Sequence, residues 1–313
     1  MKSENKNFSK DKIIRVAYAC NDSYVLPVCC SVLSLTKNTK GLIEIYILYS
    51  EKNLCDKNQK TISQVCANSN VKIIFVPVED KNFDKSLIPE GHGWSSEIFH
   101  RLYIPKLLPD ADKIIYLDSD TIVLSDLNDL YDENTDNCYA AAVKDITEYI
   151  DEYCNRLNLD RYFNSGVLLL NITKLREDDA FNKFIQFAQN NSDIIFCPDQ
   201  DILNVVFKNN IKFIDYNWNV QQFIPNTKNN APFDIKIFHY SGKIKPWRTK
   251  YAHENKRYFF EYFHKLPLSF KIKYYYIPYR KELLKEFRKN FIWYSETKKE
   301  IIIFKFFRIK INV

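Results

Sequence analysis

Glycine and long apolar runs are both scarce in this sequence, and each shortage excludes a class of protein. The 313 residues include only five glycines, which argues against a glycine-rich phosphate loop as the main binding device. No apolar run approaches the roughly 18–20 residues that cross a bilayer. The opening Met1–Lys12 is polar and lacks the apolar core of a secretory signal. We therefore expect a cytoplasmic protein without a membrane span.

Metal-type cysteine spacing is also missing. No two of the eight cysteines are spaced Cys-x-x-Cys, and Cys29 and Cys30 are adjacent, which suits neither a metal knuckle nor an easy disulfide. We expect reduced, mostly buried thiols, as in cytosolic proteins.

Charge is unevenly distributed along the chain. Residues 265–313 contain 13 Lys and Arg against 4 Asp and Glu, a net charge of +9, whereas residues 1–264 have a net charge of −3. A hydrophobic content of 46% excludes global disorder. The sequence predicts a flexible N-terminus over 1–12, one large domain over 13–264, and a basic, aromatic segment over 265–313.

Strand-like apolar runs alternate with helix-like segments over the first 80 residues. The predicted strands are Ile13–Ala19, Ile43–Leu48 and Val71–Val78, and the predicted helices are Val25–Leu35 and Asn58–Ala67. Crossovers of this length join parallel strands of one sheet. The pattern therefore predicts an α/β fold, whose ligands bind beyond the carboxyl ends of the strands.

The same mixture of elements continues to about residue 264. Further predicted elements are a helix at Ser96–Leu107, a strand at Lys113–Leu117, an apolar run at Tyr139–Val143, a strand at Val167–Leu170 preceded by Phe163–Gly166, helices at Asp178–Asn190 and Ile202–Phe207, and a strand at Ile235–His239.

Asp118 and Asp120 are the sharpest chemical feature. They follow a buried strand directly, so both carboxylates can converge on one divalent cation such as Mn²⁺ or Mg²⁺. Such an ion commonly bridges phosphate oxygens. Two alternatives are a solvated turn and an aspartyl-phosphate-type phosphatase with Asp118 as the nucleophile. The phosphatase motif normally lies on the first strand, whereas three predicted strands precede it here.

His239 ends another apolar strand and is followed by Gly242, Lys243 and Lys245. A neutral imidazole is a plausible third metal ligand, and a lysine can hold a phosphate. The alternative is an ordinary core or surface histidine. Two carboxylates and a distant histidine, each at a strand end, are what a metal–diphosphate site needs.

Together these features resemble the retaining nucleotide-sugar glycosyltransferases of family eight, such as bacterial lipopolysaccharide galactosyl- and glucosyltransferases and glycogenin. The matching motifs are Ala19-Cys20-Asn21-Asp22-Ser23-Tyr24, Arg101-Leu102, Tyr116-Leu117-Asp118-Ser119-Asp120, Phe163-Asn164-Ser165-Gly166, Asp199-Gln200-Asp201 and His239-x-x-Gly242-x-x-Lys245-Pro246-Trp247. The resemblance covers roughly Ile13 to Phe263. It implies a Rossmann-like fold of the GT-A type with a mostly parallel central sheet.

The resemblance also implies roles for the matching residues. Asp118, Asp120 and His239 would bind Mn²⁺ or Mg²⁺, and Tyr24 would stack on uracil. The residues implied to contact the nucleotide-sugar are Ala19, Cys20, Asn21, Asp22, Tyr24, Arg101, Asp118, Ser119, Asn164, Ser165, Asp199, Gly242 and Lys245.

The implied reaction moves galactose or glucose from UDP-galactose or UDP-glucose to a saccharide acceptor, with retention of configuration. Gln200 would lie beneath the anomeric carbon, and Asp145 resembles a carboxylate also considered for this catalytic role. Because Gln200 is an amide and a poor nucleophile, we expect front-face attack with the UDP phosphate as the base. A catalytically silent sugar-binding relative is the alternative.

The acceptor is expected to be lipopolysaccharide or lipooligosaccharide, carried on a lipid. Trp218 and Phe223 are candidates for its aromatic platform, with core packing as the alternative for Trp218.

Lys and Arg alternate with Tyr, Phe and Ile after residue 265. This texture is typical of segments that lie at a membrane interface. We expect peripheral attachment to the anionic inner face of the plasma membrane and no nucleic-acid partner. A solvated helical appendage that closes the core is the alternative.

Overall fold

The computed structural model describes residues 12–79, 81–91, 93–222, 234–248 and 255–280, and the backbone of three strands after residue 291. The N-terminal segment 1–11 and Phe223 lie outside these residues. The chain falls into two compact units that divide between Lys243 and Ile244.

Ten strands and eight α-helices are described in the first unit. The strands are β1 Ile13–Ala19, β2 Leu42–Tyr49, β3 Val71–Pro77, β4 Lys113–Leu117, β5 Thr121–Val123, β6 Ala140–Lys144, β7 Phe163–Asn171, β8 Ile211–Phe213, β9 Val220–Gln221 and β10 Ile237–His239. The helices are α1 Val25–Asn38, α2 Asp56–Val65, α3 Ile104–Leu107, α4 Asn128–Tyr131, α5 Ile150–Leu157, α6 Ile172–Glu177, α7 Ala180–Asn190 and α8 Pro198–Val206.

Seven strands form the central sheet in the order β3-β2-β1-β4-β7-β6-β8. Strand β7 runs antiparallel to both of its neighbours, and the other adjacent pairs are parallel. One core packs this sheet against α3, α6, α7 and α8, with Ile114, Leu168, Phe184 and Leu203 among its buried side chains. The predicted α/β fold with a mostly parallel sheet is confirmed.

A second, three-stranded sheet in the order β5-β10-β9 places His239. Strand β10 is antiparallel to β5, and His239 lies opposite Thr121. Because Thr121 follows Asp120 directly, this pairing brings the histidine to the end of β4. The sequence predicted the strand that contains His239 but not its partner.

Three local predictions differ from the structure. Phe163–Gly166 belong to β7 itself. Phe163 lies opposite Lys144 of β6, and the side chain of Asn204 forms two hydrogen bonds with the Phe163 backbone. The helix predicted from Asp178 begins at Ala180, and a separate helix α6 precedes it. The helix predicted over Ser96–Leu107 is a 3₁₀ helix from Ser96 to Tyr103, continued by α3.

Among the described residues of the second unit are the helices α9 Lys256–Lys265 and α10 Leu268–Lys271 and a π-helical turn, Ile272–Tyr276. Its strands β11 Ile292–Ser295, β12 Glu300–Ile303 and β13 Ile309–Asn312 form an antiparallel sheet. Within the described part of the chain, none of the helices has the length and apolar character to cross a membrane.

Candidate functional site

Asp118, Asp120 and His239 form one compact group at the carboxyl end of β4. Each offers one ligand atom, and these atoms all lie within 4.8 Å of one another. His239 Nε2 is 3.3 Å from Asp120 Oδ1 and 3.6 Å from Asp118 Oδ2. Two carboxylate oxygens and one imidazole nitrogen are a donor set that fits Mn²⁺ or Mg²⁺. This group, called the metal-binding group below, brings together the three predicted metal ligands.

Hydrogen bonds to backbone groups of Asp118 and Asp120 hold the metal-binding group in place. Asp118 N donates to Gly166 O at 2.8 Å, and Thr121 Oγ1 donates to Asp118 O at 2.8 Å. Tyr240 N donates to Asp120 O at 3.0 Å. The turn between β4 and β5 is therefore tied to both β7 and β10.

Gly166 makes room for this group, and the sequence interpretation gave it no role. A Cβ at this position would lie 2.2 Å from His239 Cε1 and 2.7 Å from Asp118 Oδ2. These separations are far below van der Waals contact, so only glycine fits. A glycine inside a strand often marks such a close approach. The sequence could have indicated the role of Gly166 only if Phe163–Gly166 had been predicted as strand.

The two oxygens of Asp118 face different partners. Oδ1 accepts hydrogen bonds from Arg101 at 2.7 Å and from Tyr116 Oη at 3.0 Å. Oδ2 faces His239. The carboxylate is thus oriented so that Oδ2 is directed at the position a cation would occupy.

Arg101 links this carboxylate to the neighbouring motifs. Its buried guanidinium donates to the backbone and side-chain oxygens of Ser165 and pairs with Asp199 Oδ2 at 3.2 Å. Burial alone would lower the pKa of Arg101, but Asp118 and Asp199 raise it, so the group stays charged. Burial raises the pKa of Asp199, and Arg101 offsets part of this effect.

Asp145, Asn164, Ser165 and Gln200 form a second cluster beside Arg101, in which Gln200 is half-buried and the other three are buried. Asp145 Oδ2 accepts hydrogen bonds from Asn164 Nδ2 and Gln200 Nε2, both at 3.2 Å. Its Oδ1 accepts from Thr147 N at 3.0 Å. Gln200 Oε1 accepts from Ser165 N at 2.9 Å. The structure thus brings together the two predicted catalytic side chains.

The predicted nucleotide residues lie after β1, at the carboxyl edge of the same sheet. Asn21 Nδ2 donates to Glu97 Oε2 at 3.1 Å, and Asp22 Oδ1 accepts from Asn58 Nδ2 at 2.8 Å. Tyr24 ends the short 3₁₀ turn that follows and is half-buried. Glu97 and Asn58 support this edge and were missed, since neither belongs to a motif.

A hydrogen bond from Ser119 links the turn that carries the two metal-binding carboxylates to the end of β1. Ser119 Oγ donates to Ala19 O at 2.7 Å. Cys20 has a buried side chain, and burial raises the pKa of its thiol. Only its backbone can therefore line a ligand site.

The last motif spans the two units. Gly242, in the first unit, has φ of 79°, a value that favours glycine. Lys245 is buried and belongs to the second unit.

Trp218 is buried, with Lys236 Nζ 4.4 Å from its ring centroid, so the structure favours core packing over a role as an acceptor platform.

Most of the chain matches the model of a known protein family. The model of Glycosyl transferase family 8 matches residues 15–251. This chain belongs to glycosyl transferase family 8. The predicted resemblance is confirmed, and the family-8 protein is a glycosyltransferase; the phosphatase alternative loses its support.

Relatives and solved structures agree with this family. A Haemophilus influenzae protein, provisionally described as a glycosyltransferase, is 32% identical and the match covers 75% of this chain and 73% of that protein. A lipopolysaccharide 1,2-glucosyltransferase of Escherichia coli K12 is 25% identical, with 81% and 78% covered. The galactosyltransferase LgtC, solved with donor and acceptor sugar analogs, has a TM-score of 0.71 at 24% identity, covering 83% of this chain and 100% of that chain. This likeness shows that the family-8 chain has the Rossmann-like GT-A fold.

Proposed function

We propose that this family-8 glycosyltransferase transfers galactose or glucose from UDP-galactose or UDP-glucose to a saccharide acceptor with retention of configuration. The observation that carries the proposal is the metal-binding group, which lies at the edge of the sheet where Asn21 and Asp22 follow β1. Nucleotide ligands of open α/β sheets bind at this edge. A diphosphate beside two carboxylates requires a cation.

Asp118 Oδ2, Asp120 Oδ1 and His239 Nε2 would hold Mn²⁺ or Mg²⁺. When bound, such an ion neutralises the charge that develops on a departing diphosphate. The fit rests on the donor set and on Gly166, which leaves the space that His239 and Asp118 occupy. Asp118, Ser119 and the turn after β1 would position the nucleotide, and Gly242 would contact the diphosphate.

The contacts of Asp145 and Gln200 support attack from the leaving-group face. Both oxygens of Asp145 accept hydrogen bonds, which lowers its power as a nucleophile. The amide of Gln200 is held with Oε1 toward Ser165 N and Nε2 toward Asp145. In our proposal these groups orient the sugar, and the acceptor hydroxyl attacks the anomeric carbon as the bond from that carbon to the UDP phosphate oxygen breaks. A phosphate oxygen of the departing UDP takes the proton of the hydroxyl.

We propose a lipopolysaccharide or lipooligosaccharide acceptor, because several relatives are described as lipopolysaccharide glycosyltransferases. Lipid-linked acceptors lie at a membrane, and in our proposal the basic segment binds that membrane. In that segment Leu268, Ile272, Tyr276 and Ile277 are exposed apolar residues within one helical stretch. Apolar side chains among Lys and Arg suit the interface of an anionic leaflet, so we propose peripheral attachment to the cytoplasmic face of the plasma membrane.

The proposal is tested by release of UDP from a panel of UDP-sugars, with Mn²⁺ or Mg²⁺ and with or without candidate acceptors. We expect metal-dependent release from UDP-galactose or UDP-glucose. Asp120→Ala removes one proposed ligand and should lower release at least a hundredfold, in line with the roughly 10²–10³-fold effect of losing one charge-stabilising group.

The matched control is Asp129→Ala, which removes an exposed carboxylate from α4 and should leave UDP release unchanged. Undiminished activity of Asp120→Ala would refute the metal assignment. Tight UDP binding by the wild type without turnover of any sugar would instead favour the catalytically silent relative.

A further inference from the structure

Asn219 is buried between the metal-binding group and Asp145, and none of the sequence motifs includes it. It ends the 3₁₀ turn Tyr216–Asn219, directly before β9. Its Oδ1 is 3.0 Å from His239 Nδ1, and its Nδ2 donates to Asn164 Oδ1 at 2.9 Å. We propose that Asn219 is a positioning residue that keeps His239 protonated at Nδ1, so that Nε2 is available to a metal. This inference rests on the proposed metal site.

The chain of amides starts from groups whose polarity is fixed. A backbone N–H can only donate, and Gly166 N donates to Asn164 Oδ1 at 3.0 Å. An ionised carboxylate can only accept, and Asp145 Oδ2 accepts from Asn164 Nδ2 at 3.2 Å. A flip of the Asn164 amide would lose both bonds and bring like groups together. The orientation of Asn164 is therefore determined.

The orientation of Asn164 determines that of Asn219. Since Asn164 Oδ1 is an acceptor, Asn219 must direct its Nδ2 toward it. Asn219 Oδ1 then faces His239 Nδ1 and can only accept. A neutral imidazole carries one N–H, so that proton is at Nδ1 and Nε2 has a lone pair.

Nε2 is the nitrogen that faces the two carboxylates. Metal-ligating histidines usually donate their other ring N–H to a protein oxygen, which fixes the tautomer and the ring orientation. Here the oxygen belongs to an amide whose own orientation derives from Gly166 and Asp145. The four side chains linked by these hydrogen bonds are all buried: Asp145, Asn164, Asn219 and His239. Bulk water therefore does not replace a hydrogen-bond partner that a substitution removes.

The first test is the affinity for Mn²⁺, measured by titration calorimetry or by electron paramagnetic resonance of unbound Mn²⁺, without any sugar donor. Asn219→Leu keeps the side-chain volume and removes the acceptor for Nδ1–H. We expect a 10–100-fold loss of Mn²⁺ affinity, as for other residues that orient metal ligands. The control Asn171→Leu removes hydrogen bonds to Lys174 N and Thr135 O at the far end of β7 and should keep wild-type affinity.

A double-mutant cycle shows whether Asn219 acts through His239. In a His239→Ala background, Asn219→Leu should cause no further loss of Mn²⁺ affinity. An equal loss in both backgrounds, or no loss in the wild-type background, would overturn the proposal.

The second test needs no substitution at Asn219 and thus survives a misfolded variant. Nitrogen-15 NMR of metal-free protein, labelled at histidine and compared with His239→Ala for assignment, reports the tautomer at a pH where the ring is neutral. We expect His239 to be protonated at Nδ1; protonation at Nε2 would overturn the inference. Neither test uses sugar transfer, so a failed UDP-release assay would count against the proposed function and leave these results intact.

Discussion

Gly166 shows how the absence of one carbon atom makes room for a binding site. Its neighbours Asp118 and His239 come from strands that are far apart in the sequence, yet both approach closer to it than any side chain would permit. Gly166 is not among the glycines with a positive φ. The neighbouring side chains, and not the backbone dihedral angles, therefore exclude a larger residue here.

Gly166→Ala is expected to abolish Mn²⁺ binding, because the new methyl group would displace His239 or the Asp118 carboxylate. Overpacking of this kind typically costs about 1–3 kcal/mol of stability, so the protein should still fold. Mn²⁺ titration and thermal unfolding measure the two effects.

Gly91→Ala is the matched control, since a Cβ there meets nothing within 4 Å and only its φ of 78° is unfavourable. That variant should lose some stability and keep its Mn²⁺ affinity. Wild-type Mn²⁺ affinity in Gly166→Ala would contradict the close approach described here.

At the scale of elements, α8 and β7 carry Gln200, Asn164 and Ser165 of the second cluster. Asn204 Oδ1 accepts from Phe163 N at 2.8 Å, and its Nδ2 donates to Phe163 O at 2.9 Å. The same helix carries Asp199 and Gln200, which contact Ser165, two residues after Phe163. Helix α8 thus binds the backbone at the start of β7 and contributes Gln200 to the second cluster.

Asn204→Ala should destabilise the protein, because it leaves the buried N–H and C=O of Phe163 without their partners. An unsatisfied buried polar group costs about 1–3 kcal/mol, and urea unfolding monitored by circular dichroism measures the sum. The control Asn182→Ala removes an exposed contact with Asp179 on α7 and should change stability by less than about 0.5 kcal/mol. Equal stabilities of the two variants would show that Asn204 does not hold the strand.

The elements themselves were largely predictable, and their pairing was not. Strands β1, β2 and β4 are apolar runs with alternating or complete burial, so composition alone located them within a residue or so. The first half of β7 was missed because Asn164, Ser165 and Gly166 have low strand propensity. Contacts with α8 outweigh that preference.

The candidate site was predictable as a set of motifs, because Asp118, Asp120 and His239 each end an apolar run. Its supporting residues were not. Asn219, Asn204 and Glu97 have no motif, and their roles depend on partners far away in the sequence, which local patterns do not encode.

At the scale of the whole molecule, the charge asymmetry of the chain remains the basis for the proposed membrane attachment. Lys265, Lys273 and Arg280 are exposed in the second unit, near the exposed apolar residues Leu268 and Ile272. Each basic residue close to an anionic leaflet contributes about 1 kcal/mol. Replacing all three basic residues by glutamine should therefore weaken binding to anionic vesicles by about 3 kcal/mol, or roughly a hundredfold.

Co-sedimentation with phosphatidylglycerol-containing vesicles, at low and physiological salt, measures this effect. The control replaces three exposed lysines of the first unit, Lys57, Lys72 and Lys208, and should leave vesicle binding unchanged. Equal binding by the triple variant and the wild type would contradict attachment through this segment. UDP release with a soluble acceptor should be the same in all three proteins.

The pairing of β10 with β5 has a consequence for the synthesis of this protein. The carboxylates at 118 and 120 leave the ribosome well before His239, and translation proceeds at about 5–20 residues per second. On the order of ten seconds therefore separates the two halves of the metal-binding group. A nascent chain that has already formed β1–β4 carries the two carboxylates without the imidazole, so the proposed metal site is complete only when almost the whole first unit has been made.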